Sequence, residues 1–403
     1  MKSYISTNIH RVLFSILLIS LFPSLTAMAS EPPQYTHGLT VHNGQLLRGG
    51  KPYRGMGANY FSLFYRTIKD PSDISYRRQL KRLSQSHIPF VRFMACGFWP
   101  VDWDLYLSDK DEYFRRLDRI VESAEENELG LIPSLFWNIA HIPDIFGEHV
   151  DQMGNPRSKT CELIRQYTSE VVLRYRDSPA VWGWEFANEC NLHVDLPNAS
   201  KYRPKVIPRL KTASKRTSRD EMSSEMMLAA FKEFARTVRA HDKHRILITG
   251  NSCPRPSAWH NTNDKSWQPD TRAQFKEILL RDNPDPFEII CVHIYPRKNN
   301  NYSGGAKSLG ELVKTIREVS TRANKPLFIG EFGSCQSTTP RQNREEFEEL
   351  VAAIETNNVP LSAFWVFDFP HQNSTHNVTF ENNRSYILKI VGEANRRMNR
   401  QRD

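Results

Sequence analysis

Two glutamates end two short apolar segments of the sequence. Glu189 closes the string WEFANE at 184–189, and Glu331 closes the string FIGE at 328–331. A charged group at the tip of a buried strand is costly unless that tip opens into a site. Two such tips in one domain predict a pair of carboxylates, which is the arrangement that acid/base hydrolysis of a glycosidic bond requires.

Further polar and aromatic residues fall at the ends of other predicted strands. Each alone is weak evidence, because such a residue is more often an ordinary loop start, a core residue or one half of a structural ion pair. Together, on successive strand ends, they predict one site where polar groups converge. These residues are Arg92, Asn188, His293, Tyr295 and Trp365.

Eight short apolar segments must position these residues. They lack polar/apolar alternation, as expected of strands covered on both faces, and segments with helical periodicity separate most of them. This alternation predicts an α/β fold, a (β/α)₈ TIM barrel in one domain with loop insertions. A doubly wound sheet is the alternative, but no GxGxxG or P-loop follows an early strand. The predicted strands are 53–59, 89–93, 131–137, 181–187, 245–249, 287–293, 326–331 and 361–367.

The predicted helices begin near residue 114 and continue to the end of the chain. Their apolar residues recur every three to four positions, which is typical of helices with one buried face. Residues 35–50 resemble a small hairpin around Asn43-Gly44 that would plug the bottom of the barrel. Residues 191–222 form a long insertion that should hang over the carboxyl-terminal face. The predicted helices are 114–124, 163–175, 227–238, 271–281, 308–323, 344–356 and 385–398.

The first 29 residues have the order of a secretory signal. Lys2 and Arg11 precede an apolar run at 12–22, and Ala27-Met28-Ala29 follows. The run is shorter than the ~20 residues that a membrane-spanning helix needs. We therefore expect a signal peptide at 1–29 and a catalytic domain at 30–403, secreted or periplasmic and not inserted in the membrane.

Charge and cysteine content narrow the possible partners. The net charge is +9, and many of the cations crowd the segment 201–220. Such a run is more often a solvated surface than a polyanion site, and export argues against nucleic acid. If the segment covers the cleft, it would favour acidic glycans.

The six cysteines form no CxxC pair, which argues against a zinc site or a redox motif, although export permits disulfides.

The order of the strand-end residues resembles glycoside hydrolase family five, within the clan of retaining (β/α)₈ glycosidases. The resemblance runs from Gly55-Met56-Gly57-Ala58-Asn59-Tyr60 onward, and the segment 183–189 is most similar to β-mannanases and endoglucanases. It implies that Glu189 is the general acid/base and Glu331 the nucleophile of a double displacement. Arg92 and Tyr295 would keep Glu331 ionised.

The same resemblance implies roles for the residues around the carboxylates. Asn188 would bind the sugar 2-hydroxyl, His293 would bind substrate or steady Glu189, and Trp365 would lie under the sugar ring. Many family members have a histidine at the end of the third strand and a proline after the acid/base. Here Asn138 or His141 would take the histidine's place, and Cys190 follows Glu189. Early rim aromatics are expected to stack on sugars, namely Tyr60, Trp99 and Trp137.

The leading expectation is a hydrolase of β-linked polysaccharide or oligosaccharide, β-mannan first and β-1,4-glucan second, acting as a monomer. It needs no cofactor and no metal. A barrel protein that binds carbohydrate but has lost catalysis is the alternative. A metal hydrolase using His241, His244 and His293 is disfavoured, because the first two precede a strand at the wrong end of the barrel.

Overall fold

The computed structural model describes residues 37–297, 301–334 and 339–400. The predicted signal peptide at 1–29 lies outside these residues, as does Cys335. No helix within the described ranges is long and apolar enough to cross a membrane. The five cysteines within the described ranges are all buried free thiols.

A three-stranded antiparallel sheet opens the described chain, with strands β1 (Leu39–His42), β2 (Gln45–Arg48) and β3 (Lys51–Pro52). Asn43 and Gly44 connect the first two strands, with positive φ angles of 47° and 73°. This left-handed pair suits the twist of a tight hairpin, which is why Asn-Gly is common there. The predicted hairpin is thus confirmed.

Eight parallel strands form the central sheet, in the order β8-β7-β6-β5-β4-β11-β10-β9. The loop after β8 reaches the other end of this order, where the Cys253 amide donates to the His293 carbonyl at 3.3 Å. The sheet is therefore a nearly closed barrel, and the predicted TIM barrel is confirmed. The strands are β4 (Gly55–Asn59), β5 (Phe90–Met94), β6 (Gly130–Phe136), β7 (Gly183–Ala187), β8 (Ile246–Ile248), β9 (Ile290–Ile294), β10 (Leu327–Phe332) and β11 (Leu361–Phe364).

Helices surround the barrel and cover its outer face. All seven predicted helices are present, as α4, α5, α6 and α8 to α11. The prediction lacked α2, although its buried residues also recur every three to four positions. The helices are α1 (Tyr65–Lys69), α2 (Ser75–Gln85), α3 (Asp104–Ser108), α4 (Lys110–Glu126), α5 (Lys159–Tyr175), α6 (Ser224–His241), α7 (Ala258–Asn263), α8 (Arg272–Arg281), α9 (Leu309–Arg322), α10 (Pro340–Thr356) and α11 (Tyr386–Arg400).

The small sheet closes the amino-terminal end of the barrel. Leu39 and Leu46 are buried in one apolar cluster with Phe90 of β5, Phe328 of β10 and Trp182, which directly precedes β7. The Leu39 amide donates to the Trp182 carbonyl at 2.8 Å. Because this end is sealed by side chains, the barrel opens to solvent at its carboxyl-terminal rim.

The insertion at 191–222 lies at that rim and is fixed by ion pairs. Arg216 makes two 2.8 Å bonds to the buried carboxylate of Asp144, in the loop after β6. Arg203 pairs with Glu221, and Arg219 pairs with Asp151 at 2.7 Å. Much of the positive charge predicted for this segment is therefore matched by nearby carboxylates.

Candidate active site

The barrel brings the predicted polar residues together. Because its eight strands are parallel, their carboxyl ends share one rim, and residues at or just beyond those ends face one another. Arg92 lies in β5, Asn188 and Glu189 follow β7, and Glu331 lies in β10. The metal alternative lacks this convergence, since His241 and His244 precede β8 at the opposite end.

Glu331 is held by one bond to each carboxylate oxygen. Arg92 Nη1 donates to Oε1 at 2.9 Å, and the Tyr295 hydroxyl donates to Oε2 at 2.7 Å. The Glu331 side chain is only 6% exposed. Burial raises the pKa of Glu331, and the charge of Glu189 acts in the same direction. Arg92 and the Tyr295 hydroxyl oppose this shift.

Arg92 is the centre of the polar network. Its fully buried guanidinium bonds the Glu185 carboxylate at 2.8–2.9 Å. It also donates to Asn59 Oδ1 at 2.9 Å and to Asn188 Oδ1 at 2.8 Å. A planar guanidinium with fixed N–H directions can hold several acceptors at once, so Arg92 sets the positions of Glu331 and Asn188 relative to each other.

Glu189 occupies a strained backbone position. Its φ and ψ are 50° and 31°, in the left-handed region that non-glycine residues rarely adopt. Its amide donates to the Gly250 carbonyl at 2.9 Å, which holds this turn against the loop after β8. The turn directs the Glu189 carboxyl to His293 Nδ1, at 3.0 Å from Oε1.

The two carboxyls face each other across a short gap. A carboxylate oxygen of Glu189, one of Glu331 and a ring nitrogen of His293 all lie within 4.8 Å of one another. Burial raises the pKa of Glu189, whose side chain is 30% exposed. Burial also lowers the pKa of His293 to about 4, so this ring is neutral at physiological pH. Glu331, with bonds from Arg92 and Tyr295, is the carboxyl better placed to ionise first.

The same three residues offer ligand atoms that a metal ion could use. Both oxygens of Glu331 already accept hydrogen bonds, and the Arg92 cation is 2.9 Å from one of them. A divalent cation would have to displace that contact and lie beside a like charge. This donor set therefore fits a proton-transfer pair better than a metal centre.

Aromatic side chains line one wall next to the carboxyls. Trp365 is partly exposed, and its ring stacks on that of Trp137 with centroids 6.0 Å apart. Its Nε1 donates to Gln372 Oε1 at 2.9 Å, which fixes the ring. Trp137 is only 5% exposed and lies against the Arg92 guanidinium at 4.4 Å. Trp365 is therefore the more accessible of the two rings for a sugar face.

A pocket of about 180 Å³ is lined by Asn188 and Cys190, the two sequence neighbours of Glu189. The loop after β6 contributes Asn138 and His141, and the insertion contributes His193 and Tyr202. Asn138 Nδ2 donates to the Phe98 carbonyl at 3.2 Å, and His141 Nδ1 lies 3.1 Å from the buried Asp144. The insertion thus forms part of the pocket wall. The sequence predicted only that this segment would lie over the carboxyl-terminal face.

The structure contradicts the stacking role predicted for Tyr60. Its side chain is 0% exposed, and its ring packs edge-on against Phe367. Its hydroxyl donates to Asp368 at 2.8 Å and accepts from Arg66 at 2.6 Å. Tyr60 therefore stabilises the rim from behind and has no face free for a sugar.

Trp99 packs against the loop after β6. It is half-buried and packs edge-on against His141, with centroids 5.1 Å apart. It is not among the described residues that line the pocket beside Asn188. Its contact with substrate stays a prediction.

Sequence reasoning missed two of the buried residues in this network, Asn59 and Glu185. Asn59 accepts from Arg92 and donates to the Gly330 carbonyl at 2.8 Å, next to Glu331. Glu185 bonds the other edge of Arg92. Polar residues inside otherwise apolar strands were the available signal, since a barrel interior rarely accepts them without a partner.

Comparison with solved structures supports the fold. An endo-1,4-β-mannanase from Rhizomucor miehei superposes with a TM-score of 0.64 at 18% identity, covering 90% of this chain and 99% of that one. An exo-β-1,4-mannosidase from Opitutaceae bacterium strain TAV5 gives a TM-score of 0.61 at 15% identity, over 90% of this chain and 63% of that one.

Sequence comparison gives partial matches and one family match. A probable mannan endo-1,4-β-mannosidase A from Aspergillus flavus is 26% identical over 44% of this chain, which spans about half (51%) of that relative. A mannan endo-1,4-β-mannosidase A from Podospora anserina is 35% identical over 20% of this chain and 24% of its own length. Residues 71–369, most of the chain, match the model of the cellulase family. The chain therefore belongs to glycosyl hydrolase family 5.

Proposed function

We propose that this chain is a retaining β-glycoside hydrolase that cleaves its substrate by double displacement. The observation that carries the proposal is the pair of carboxyls within 4.8 Å, placed in different surroundings. Glu331 accepts bonds from a cation and a hydroxyl, whereas Glu189 lies beside a neutral histidine. Retaining enzymes need such a short separation, about 5–5.5 Å between carboxyl groups.

In the first step Glu331 attacks the anomeric carbon and forms a C–O bond. The glycosidic C–O bond breaks, and its electron pair takes the proton of Glu189. In the second step Glu189 accepts a proton from water, whose oxygen bonds the anomeric carbon as the bond to Glu331 breaks. Asn188 would bond the sugar 2-hydroxyl, and Trp365 would lie under the ring.

We propose β-mannan as the first substrate and β-1,4-glucan as the second. The names of the mannosidase relatives support this order. Because Glu189 would protonate the leaving oxygen, the pocket beside it would receive the leaving sugar. Tyr202, a half-exposed residue of the insertion that lines this pocket, would stack on that sugar.

We further propose that the mature chain is a monomer secreted or exported to the periplasm. The basic, apolar and small-residue order of 1–29 supports export. The alternative of a binding protein without catalysis has no support in the arrangement of the two carboxyls. A preference for acidic glycans loses support, because several cations of the insertion pair with carboxylates.

A substrate screen with product analysis tests the proposal. Mannan, cellulose and xylan are incubated with the wild type, and reducing ends are counted. Proton NMR of the first product then gives its anomeric configuration. We expect hydrolysis of mannan with release of the β anomer. Release of the α anomer, or no hydrolysis of any β-glycan, would contradict it.

A further inference from the structure

Glu185 is a buried carboxylate that the proposed double displacement does not use. It lies in β7, four residues before Glu189 in the sequence, and neither its side chain nor that of Arg92 is exposed. Arg92 Nε lies 2.9 Å from its Oε1 and 2.8 Å from its Oε2, and Arg92 Nη2 lies 2.8 Å from Oε1. A buried ion pair is a poor source of stability, because desolvation offsets its attraction.

The bonds of Arg92 show what the pair does for the site. One edge of the guanidinium is occupied by Glu185, which leaves the remaining N–H groups directed at Glu331, Asn188 and Asn59. The position of the proposed nucleophile therefore depends on Arg92, whose orientation is set by Glu185. A guanidinium bound along one edge has little freedom to rotate.

We propose that Glu185 is a positioning residue that fixes the orientation of Arg92 and takes up part of its charge. With the charge divided between two carboxylates, Glu331 stays more basic than it would be facing Arg92 alone. This inference rests on the proposed function, because it assumes that Glu331 is the nucleophile. A stronger base is the better nucleophile toward the anomeric carbon.

Among the groups that face Glu331 in the described ranges, Arg92 is the main cation. These groups are Arg92 from β5, Glu189 after β7, and His293 and Tyr295 at the end of β9. Cys291, also in β9, is a buried neutral thiol nearby. A change in the effective charge of Arg92 should therefore act directly on the ionisation of Glu331.

The variant Glu185→Gln tests this, since it keeps the shape and an acceptor oxygen but removes the charge. The undivided charge of Arg92 should lower the pKa of Glu331, which moves the acid limb of the kcat/KM profile to lower pH. Because Arg92 would be held less firmly, kcat/KM at the pH plateau should also fall by about ten- to a hundredfold. A purely structural role would lower stability and leave the acid limb in place.

The probe is a 2-deoxy-2-fluoro-β-glycosyl fluoride of mannose or glucose, which would trap Glu331 as a covalent adduct. Its inactivation rate is measured against pH for the wild type, Glu185→Gln, Glu185→Asp and the control Asp242→Asn. Asp242 also pairs with a buried arginine, Arg245 at 3.0 Å, but at the closed end of the barrel. The control should lose stability and keep the wild-type pH profile.

The outcomes separate this inference from the proposed function. A folded Glu185→Gln with the wild-type acid limb and rate would overturn the inference alone. If Glu185→Gln does not fold, Glu185→Asp decides, because its shorter side chain should shift the limb in the same direction by less. A wild type that is neither trapped by the probe nor active on β-glycans would instead overturn the proposed function.

Discussion

The Nδ1 atom of His293 lies 3.0 Å from Oε1 of Glu189. Burial holds the pKa of His293 at about 4, so the ring is neutral over the range in which a raised glutamate titrates. A neutral ring fixes the carboxyl without adding a positive charge that would favour its ionised form. Glu189 can therefore carry a proton while Glu331, beside Arg92, gives one up.

This arrangement predicts a bell-shaped pH dependence of kcat/KM. Activity should rise as pH increases through the pKa of Glu331 and fall as pH increases through that of Glu189. Burial raises both pKa values above their ordinary range, so both limbs should lie at higher pH than for exposed carboxyls. The two apparent values belong to the coupled pair.

An aryl glycoside with a good leaving group allows a variant without the acid to be assayed, because departure of the aryl group needs no proton. With this substrate, Glu189→Gln should lose the alkaline limb of glycosylation and keep the acid limb. An alkaline limb unchanged in the variant would assign that ionisation to another residue.

The two glutamates should also differ in chemical rescue. With an activated aryl glycoside, Glu189→Ala plus azide should give a β-glycosyl azide, because azide attacks the adduct on Glu331. With an activated β-glycoside, Glu331→Ala plus azide should give the α-glycosyl azide, because azide displaces the leaving group directly with one inversion. Each variant should lose about 10²-fold or more on polysaccharide without azide. NMR of the azides checks the assignment, and exchanged configurations would reverse the two roles.

Tyr202 should contribute to binding of the leaving sugar. Tyr202→Ala removes the stacking face, so KM for mannan should rise several-fold, equivalent to about 1 kcal/mol. Activity on an aryl glycoside, which has no sugar beyond the cleaved bond, should stay constant. Trp267→Ala removes another exposed aromatic ring, away from this pocket, and is the matched control. Equal losses on both substrates would place Tyr202 outside the leaving-group pocket.

Arg216 should hold the insertion in place. Arg216→Met leaves the buried carboxylates of Asp144 and Asp220 without this cation, at a cost of about 3 kcal/mol. Thermal unfolding should begin at lower temperature, and KM for mannan should rise as the pocket wall loosens. Arg219→Met, which breaks a partly exposed pair with Asp151, is the control and should change little. Wild-type stability and KM in Arg216→Met would show that the insertion is held by other contacts.

Local pattern was enough to predict the barrel and the convergence of its polar rim. Eight apolar segments followed by polar residues can satisfy their hydrogen bonds in few other ways. The misplacement of Tyr60 has a different origin. Its burial depends on Arg66 and on Asp368 at the far end of the chain, and no local pattern records that pairing. The link between Arg92 and Glu185 is equally long-range, so the support beneath the carboxyls became visible only in three dimensions.

The left-handed backbone of Glu189 has a cost for folding. A non-glycine residue with φ near 50° loses roughly 1 kcal/mol relative to glycine. Replacing Glu189 by glycine should therefore make the protein harder to melt while destroying its activity. At this one residue, stability and the proposed catalysis make opposite demands. Selection for stability alone would remove the carboxyl that we propose as the acid/base.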